Sequence, residues 1–566
     1  MKANIRIGRF LPVLLVFLLQ SGFLFSQTTG KNGMASTAHP LASDAAIEIL
    51  KAGGNAVDAA VAAAFAIGVV EPDGSGLGGG GGMVIYLKES KEAVFINYYG
   101  NSSENAEGSG FSSSRDQATA KAIGVPGTVG GLLAAHKKYG SLPLPIIMSP
   151  AIRYAEKGFA VDGTLATLIL DNIDKIMSDQ ATAAIFLDEG FPKMEGDILV
   201  QKELARILRE VSEEGRSAFY EGKNAEAFVK GINERGGFLT LDDLASYRPK
   251  ISVPLKGSYR GYEVLAAGIP QSGISLIMGL NILENHDFSG SEHYSRSAET
   301  LHLMAETLKL ITADRYEYMG DPDFVDVPVQ GMISKEYALS QFNRINMTKL
   351  DPPTYRETKA GDPSRFGSIT EEEPTLELVE MEGHTTTLSV IDKDGNAVAL
   401  TQTLGHFFGS GQTVSGVLFN NAMTNYSYLT ANVNLIKNRK QCRSTISPSI
   451  VLKDGKPFLI LGSPGAARIT STVLELVVNV IDFGMDVEEA NQAPRFFCQK
   501  QEDNLHLESG IDNNVRTKLA EMGHKLKVYE GIDLFFGGAQ MIMVDPVTGI
   551  CHGSADLRRG GSVTSY

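Results

Sequence analysis

The chain has 566 residues, of which 43% are hydrophobic and 21% charged. This is enough apolar material for one large or two ordinary globular domains, and it excludes a disordered chain. The formal net charge of −15 argues against a nucleic-acid partner, and the three cysteines, Cys442, Cys498 and Cys551, are too few for a disulfide framework, although they allow one bridge of unspecified pairing.

The N-terminus is predicted to be a signal peptide covering residues 1–26. Basic residues precede a short apolar run over residues 10–25, an order typical of secretory signals. We expect cleavage after Ser26, a secreted or periplasmic location, and no stable membrane span after that cleavage. An uncleaved signal anchor is the alternative, but Gln20 and Ser21 leave the run short of the ~20 apolar residues that a span needs.

Two helices and a glycine-rich loop are predicted next. Ser43-Asp44 favours the start of a helix over residues 45–51, and the alanine-rich residues 57–70 predict a second helix. A glycine-rich stretch, 74–82, then leads into the apolar strand Met83–Tyr86. Its glycines follow a helix and precede a strand, the reverse of a dinucleotide-binding turn. We therefore predict a close-packed loop beneath a reaction centre.

Residues 351–384 change in character. They contain several prolines, an acidic run at 371–373 and little apolar periodicity. Such a composition cannot bury enough apolar surface to order itself, so it predicts a loop or a mobile tail.

A β-hairpin is predicted directly after this segment. Two β-rich runs, Thr385–Ile391 and Asn396–Thr403, flank the turn Asp392–Gly395. If the hairpin is symmetric about its turn, Thr385 faces Thr403 with Cβ atoms ~4.5–5.5 Å apart, close enough for their hydroxyls to bond. A bulge would shift this register. The alternative is that both are ordinary strand threonines.

No metal or cofactor site is predicted. The turn contains Asp392, Asp394 and Asn396, which are spaced like the start of a calcium loop. However, Ala397 and Thr403 stand where that loop needs glycine and glutamate. No cluster of histidines and cysteines has zinc-ligand spacing.

The segment His384–Val398 closely resembles the maturation site of the γ-glutamyltransferase family. Further segments resemble the signatures of the same family and occur in the same order, so the resemblance spans about residues 33 to 556. These segments are Gly53–Ala60, Leu77–Gly81, Val125–Thr128, Tyr318–Asp323, Ser447–Val451, Gly462–Gly465 and Ala493–Phe496.

The resemblance implies an α/β fold of four αββα layers, that of the N-terminal-nucleophile hydrolases. It also implies a proenzyme that cuts itself between His384 and Thr385. The products would be a large subunit, 27–384, and a small subunit, 385–566, which form one structural domain and a heterodimer without cofactor or metal. The segment before the cut is then expected to move away and open the site. His384 is placed to influence this cleavage, or is only the residue left at the new C-terminus.

The implied chemistry assigns two roles to Thr385. Its hydroxyl is the nucleophile, and the α-amine freed by cleavage, with a pKa of ~7.7–8, is the base that activates the hydroxyl. By resemblance, Thr403 holds and tunes that hydroxyl, while the backbone N–H groups of Gly465 and Ala466 form the oxyanion hole. The family usually has two glycines there, and alanine serves equally if only its N–H is used.

The substrate pocket departs from the family pattern. An arginine that binds the α-carboxylate of a γ-glutamyl group is replaced by Tyr99, with no arginine nearby in sequence, although Ser444 and Thr445 keep a pair of hydroxyls. The asparagine, glutamine and aspartate that bind the α-amine are replaced by Gly405, Ala422 and Asn425. The chain has therefore lost an anion-binding and a cation-binding partner, each worth ~1.5–3 kcal/mol.

Three hypotheses follow for the function, and the first two assume a small-molecule amide substrate. The first is hydrolysis or transfer of γ-glutamyl groups from glutathione-like compounds. The second keeps the acyl-Thr385 mechanism but takes another amide, such as an oxamate-like acid amide or an acyl side chain on a larger molecule. The third is a non-catalytic, uncleaved binding protein.

Overall fold

The computed structural model describes residues 28–366, 384–427 and 432–566. The predicted signal peptide, 1–26, and residues 367–383 of the predicted tail lie outside the described residues. Within the three described ranges, no helix has both the length and the apolar character that crossing a membrane requires.

Two seven-stranded sheets form the centre of the fold. In chain order their strands are β1 Thr28–Gly30, β2 Gly33–Thr37, β3 Gly80–Leu87, β4 Glu92–Asn97, β5 Lys250–Ser252, β6 Leu255–Tyr259, β7 Tyr262–Ala266, β8 His384–Asp392, β9 Ala397–Gly405, β10 Ser449–Lys453, β11 Lys456–Gly462, β12 Gln540–Val544, β13 Cys551–Ala555 and β14 Ser562–Ser565. The first sheet has the order β14-β2-β8-β9-β3-β4-β5, and the second β1-β13-β12-β11-β10-β7-β6. Neighbouring strands in both sheets run antiparallel.

Helices cover the outer face of each sheet. The longer ones are α1 Pro40–Lys51, α2 Ala56–Val70, α3 Thr128–Tyr139, α4 Leu144–Lys157, α5 Gly163–Asp171, α6 Lys202–Glu214, α7 Gly222–Glu234, α8 Gly273–Leu283, α9 Ala298–Tyr318, α10 Lys335–Phe342, α11 Arg468–Ile481 and α12 Asn513–Glu521. Shorter helices span Ser113–Asp116, Ile173–Met177, Gln180–Phe186, Ser217–Tyr220, Leu241–Ser246, Val329–Met332 and Val487–Gln492. Outside the two sheets lie the short strands Phe159–Ala160, Leu187–Asp188, Phe191–Pro192, Ile198–Leu199, Thr413–Val414, Val417–Leu418, Phe496–Phe497, Leu505–Glu508 and Leu526–Tyr529.

The two sheets pack face to face through apolar side chains. Val84, Phe95, Ile391, Ile460 and Ile542 are among the buried residues of this central layer. Helices α1, α2 and α3 contact the first sheet, while α8 and α11 contact the second. The predicted four-layer αββα fold is therefore confirmed, because each sheet buries one face against the other sheet and one against helices.

Helix α2 is buried along its whole length. Its side chains are apolar on every face, which suits a helix enclosed between a sheet and other helices. Asn55 caps it by accepting from the N–H groups of Val57 and Asp58, and the Asp58 carboxylate accepts from the N–H of Asn55. This capping box fixes the turn between α1 and α2.

The start of helix α1 differs from the prediction. The helix begins at Pro40 rather than at residue 45, and His39 caps it by accepting from the N–H of Leu41 at 3.2 Å. Proline is favoured at the first helical position because its ring already sets the helical φ. Ser43, predicted to cap, lies inside the helix, where its hydroxyl bonds that of Thr37 at 2.9 Å.

The first part of the predicted tail, residues 351–366, forms two short 3₁₀ turns rather than an extended loop. The side chain of Tyr355 is buried, and its hydroxyl lies 2.6 Å from Nδ1 of His524. Lys309 Nζ donates to the carbonyl of Asp351 at 2.7 Å. These partners are remote in sequence, so the local composition did not reveal them.

The three cysteines are buried free thiols, so the bridge that the composition allowed is not formed. Burial raises the pKa of Cys551 to about 11 and that of Cys442 to about 12. Because the reactive form of cysteine is the thiolate, these side chains act as small apolar residues at neutral pH.

Candidate active site

The predicted hairpin is present as β8 and β9. Its register agrees with the prediction from Thr386, which pairs with Gln402, to Ile391, which pairs with Ala397. The register then shifts, because His384 pairs with Gly405. Thr385 therefore lies in a β-bulge and not in a regular pair with Thr403, as bulges next to active sites often re-aim a side chain.

The hydroxyl of Thr403 joins the two residues of the predicted cleavage site. It accepts from the hydroxyl of Thr385 at 3.2 Å and donates to the carbonyl of His384 at 2.6 Å. It also accepts from the N–H of Gly405 at 2.8 Å. One hydroxyl thus contacts the predicted nucleophile and the carbonyl that this nucleophile would attack, which is the geometry that an intramolecular attack needs.

The side chain of His384 is held on three sides. Its Nε2 bonds the carboxylate of Asp73, its ring stacks on Phe407 at a centroid distance of 4.1 Å, and a Cβ on Gly74 would approach its ring to 3.2 Å. Burial and the nearby guanidinium of Arg559 lower the pKa of His384 to about 4. The imidazole is therefore neutral at pH 7, and the glycine-rich loop does lie beneath the reaction centre.

Arg559 reaches the same place from the end of the chain. Its Nη1 donates to the carbonyl of Thr385 at 2.9 Å and lies 3.4 Å from Nε2 of His384. Burial lowers the pKa of Arg559 to about 10, so it stays cationic at neutral pH. Burial and the charge of Asp73 raise the pKa of Glu71 to about 8, which keeps that carboxyl protonated at pH 7.

The predicted oxyanion loop follows β11. Gly465 has φ +124° and Ala466 has φ +50°, both in the left-handed half of backbone space that disfavours side chains. Gly537 packs against the loop, because a Cβ on Gly465 would approach its Cα to 3.1 Å. Arg495 supports the neighbouring turn by donating to the carbonyl of Phe536 at 3.0 Å.

A single pocket brings most of the predicted site residues together, although Gly465 and His384 are not in its lining. Its lining contains the nucleophile pair, Thr385 and Thr403, and Ala466 of the oxyanion loop. It also contains every predicted substrate-binding residue: Tyr99, Gly405, Asn425, Ser444 and Thr445.

Tyr99 and Asn425 contact each other across this pocket. Asn425 Nδ2 donates to the hydroxyl of Tyr99 at 2.8 Å. The two residues that replace an arginine and an aspartate of the family pattern therefore form a neutral pair. Burial raises the pKa of Tyr99 well above its usual value, so its hydroxyl carries no charge at neutral pH.

Gly405 cannot be replaced by the asparagine of the family pattern without rearrangement. Its φ is +101°, and a Cβ at this position would approach Oδ1 of Asn421 to 2.0 Å. Asn421 is itself held, because its Oδ1 accepts from the N–H of His406 at 2.9 Å. The backbone at Gly405 therefore does not accommodate the asparagine of the family pattern unless Asn421 shifts.

Two arginines and a histidine in the pocket were not predicted from the sequence. Arg315 and Arg443 line it and are 7% and 6% exposed. The absence of an arginine near Tyr99 in sequence therefore did not mean the absence of a cation from the pocket. A signal was present, because Arg443 directly precedes Ser444.

His406 is the third missed residue. It follows Gly405 in the chain, lines the pocket, and has an Nε2 atom without a hydrogen-bond partner among the described residues. Burial, together with the charge of Lys175, lowers the pKa of His406 to about 4, so its ring is neutral at pH 7.

A four-layer αββα fold with a threonine at the start of a central strand defines the class of N-terminal-nucleophile hydrolases. The profile of the gamma-glutamyltranspeptidase family matches residues 42–566. The chain belongs to the γ-glutamyltranspeptidase family, whose proenzymes cut themselves into a large and a small subunit. It is therefore a self-processing amidohydrolase or transferase, and the binding-protein hypothesis is excluded.

Several relatives are similar over nearly their whole length. The chain is 37% identical to a glutathione hydrolase proenzyme of Bacillus subtilis (strain 168), over 94% of this chain and 91% of the relative. It is 35% identical to the Acylase ACY 1 proenzyme of Pseudomonas sp. (strain SE83), over 94% and 93%. The crystal structure of cephalosporin acylase from Bacillus halodurans superposes with a TM-score of 0.84 at 28% identity, over 96% and 97%.

Proposed function

We propose that this enzyme hydrolyses amides whose acyl group carries a carboxylate but no α-amine. One observation carries the proposal. The described residues that line the pocket include the guanidinium groups of Arg315 and Arg443 and no carboxylate. Buried guanidinium groups in the lining favour an anionic acyl group over a cationic one.

The γ-glutamyl group fits this pocket poorly. Its α-amine is cationic, and the only group at the position of the family's aspartate is the neutral amide of Asn425. A charge-assisted hydrogen bond is worth about 1.5–3 kcal/mol, so the amine would enter at a net loss. The same acyl chain without the amine keeps its carboxylate for Arg443 and for the hydroxyls of Ser444 and Thr445.

The mechanism begins with self-cleavage between His384 and Thr385. The hydroxyl of Thr385 attacks the carbonyl of His384, whose oxygen receives the hydrogen bond of Thr403. In the mature enzyme the freed α-amine of Thr385 takes the hydroxyl proton as the oxygen attacks the substrate carbonyl. The N–H groups of Gly465 and Ala466 are assigned to the developing oxyanion.

The second half of the reaction releases both products. The leaving amine takes the proton from the Thr385 ammonium, and water then attacks the acyl-Thr385 ester. This returns the hydroxyl and liberates the carboxylic acid. The large subunit in this proposal is 27–384 and the small subunit 385–566, in a protein exported by its signal peptide, 1–26.

The names of similar proteins support an acyl group other than γ-glutamyl. The relative from Pseudomonas sp. (strain SE83) is named an acylase, and the superposed structure from Bacillus halodurans is a cephalosporin acylase. Relatives named glutathione hydrolases make γ-glutamyl amides the second candidate.

Four p-nitroanilides separate the two candidates. Glutaryl, γ-glutamyl, 4-aminobutyryl and butyryl anilides carry a carboxylate alone, both groups, an amine alone, or neither. We expect the highest kcat/KM for the glutaryl compound. In Arg443→Gln we expect a fall of about 10- to 100-fold, the equivalent of one charge-assisted bond, for the two compounds that carry a carboxylate and not for the other two. Arg443→Lys is the matched control that keeps the charge. A preference of the wild-type enzyme for the γ-glutamyl compound contradicts the proposal.

A further inference from the structure

A second cavity lies on the other side of the predicted cleavage site. We call it the rear cavity; it is lined by Ala38, His39, Val70, Glu71, Asp73, Asp162, Thr164, Leu165, His384 and Arg559. None of these residues lines the substrate pocket. The cleavage site is therefore bounded by two separate spaces, one in front of Thr385 and one behind His384.

The rear cavity adjoins a groove on the protein surface. His39, Asp162 and Thr164 line both the cavity and the groove. The rear cavity is therefore closer to this surface groove than to the substrate pocket, with which it shares no lining residue.

Two residues that line the rear cavity, His384 and Arg559, have polar atoms without a hydrogen-bond partner in the described part of the chain. Nδ1 of His384 and Nε of Arg559 are buried and have no hydrogen-bond partner among the described residues. Buried polar atoms are nearly always paired with protein or with ordered water. A cavity lined by His384, Arg559, Glu71 and Asp73 offers a water molecule the several polar partners that it needs.

The imidazole of His384 has the orientation of a general base. Asp73 accepts at Nε2, which places the ring proton there and leaves the lone pair on Nδ1. The ring is neutral at pH 7 because burial keeps its pKa near 4. It also belongs to the residue whose carbonyl is cleaved, so one water can bridge Nδ1 and that carbonyl.

We propose that the Asp73–His384 pair activates a water molecule of the rear cavity for the last step of self-cleavage. This inference rests on the proposed cut between His384 and Thr385. Attack of the Thr385 hydroxyl first converts the peptide into an ester and frees the α-amine. Hydrolysis of that ester is the step assigned to the pair.

In the proposed step, one water molecule hydrolyses the ester between His384 and Thr385. The water oxygen bonds to the carbonyl carbon of His384 while one water proton passes to Nδ1. The bond from that carbon to Oγ of Thr385 then breaks, and the proton on Nδ1 passes to Oγ. The products are the Thr385 hydroxyl and the carboxyl group of His384, whose proton leaves to solvent. Asp73 holds the imidazole and its transient positive charge, so it is a positioning residue.

The test follows maturation of purified precursors of full length. In Asp73→Asn and His384→Ala we expect the 385–566 fragment to form at least about 100-fold more slowly, the lower range for loss of a general base. The uncut chain should carry the ester. Hydroxylamine should then cleave it at once, and mass spectrometry should find a hydroxamate at the C-terminus of the large fragment. Exogenous imidazole should accelerate His384→Ala.

Three controls make the result specific. Asp162→Asn changes a carboxylate of the same cavity that does not contact His384, and it should mature normally. Thr385→Ala should stay uncut and resist hydroxylamine, because no ester forms. Thr164→Leu should slow maturation by narrowing the entrance, while the isosteric Thr164→Val should not.

Two results overturn the inference. Wild-type maturation rates in Asp73→Asn and His384→Ala would show that the α-amine of Thr385 is a sufficient base. Uncut variants that are folded but resist hydroxylamine would place His384 before ester formation. A wild-type chain that stays uncut, or whose small fragment begins at a residue other than Thr385, would instead refute the proposed function.

Discussion

Arg559 donates a hydrogen bond to the carbonyl of Thr385 at 2.9 Å, across 174 positions of sequence. The guanidinium is buried and cationic, and it also approaches the ring of His384. The residue proposed as nucleophile is therefore held by the last segment of the chain, between β13 and β14. The C-terminus belongs to the active site even though no catalytic motif is apparent there.

Loss of this contact should destabilise the protein. Arg559→Gln removes a charge-assisted hydrogen bond, worth about 1.5–3 kcal/mol in the free energy of unfolding, and should reduce activity because the position of Thr385 is relaxed. Chemical denaturation and kcat/KM measure the two effects. Arg248→Gln is the matched control, because Arg248 donates to the carbonyl of Ala245 at an exposed site. Equal losses in both variants would contradict the prediction.

The hydroxyl of Thr403 should be needed for self-cleavage. Thr403→Val keeps the shape but removes the donor to the His384 carbonyl, and loss of one such donor typically slows a reaction about 10²- to 10³-fold. The hairpin offers a control, because Thr401 and Thr387 form a similar pair at 3.1 Å. Gel analysis of precursor decay should show normal maturation in Thr401→Val. Rapid maturation of Thr403→Val would remove Thr403 from the mechanism.

A side chain at position 405 should cost more than backbone strain alone. Gly405→Ala places a Cβ at positive φ, about 1–2 kcal/mol, and also against Asn421. Gly53→Ala has the strain without the clash, since φ is +95° and the space around its Cβ is open. The difference in free energy of unfolding between the variants should be about 1–3 kcal/mol, the usual effect of overpacking. Equal losses of unfolding free energy in the two variants would mean that the side chain of Asn421 moves aside at no cost.

Glu71 should make stability fall as the pH rises. Its pKa is about 8 in the folded protein, against an ordinary value of 4.5. Between these values the unfolded chain releases the proton while the folded protein retains it, so unfolding is favoured progressively as the pH rises from 4.5 to 8. Glu71→Gln should therefore raise the melting temperature more at pH 8 than at pH 5. A difference independent of pH would contradict the assignment.

The hairpin was predictable because strand pairing repeats with a period of two. Once the turn Asp392–Gly395 was located, the register from Thr386 to Ile391 followed. The bulge at Thr385 did not follow, since it depends on what packs against the strand end: the glycine-rich loop, Arg559 and Thr403. The predicted hydroxyl contact nevertheless occurs, at 3.2 Å.

The charge of the pocket was only partly predictable from the sequence, because Arg443 directly precedes Ser444 but Arg315 is remote along the chain from every predicted pocket residue. Arg315 lies in helix α9 and Arg443 in the loop before β10. Only the folded structure places both in the pocket that contains Thr385. The pairing of His384 with Asp73 spans 311 positions. Local patterns carry no information on such contacts. The family resemblance did point to Ser444, Thr445 and Ala466, which line the pocket.

The order of strands in the first sheet determines what happens to the molecule once it is cut. Strand β2 lies between β14 and β8, and β9 lies against β3. Strands from before position 384, β2 and β3, therefore alternate in one sheet with strands from after it. If the chain is cut after His384, as proposed, separation of the two products requires breaking the strand pairings of this sheet. We expect dilution to leave the cut enzyme intact, and we expect the two fragments not to assemble when they are made separately. The unbroken chain is then the form in which the molecule folds.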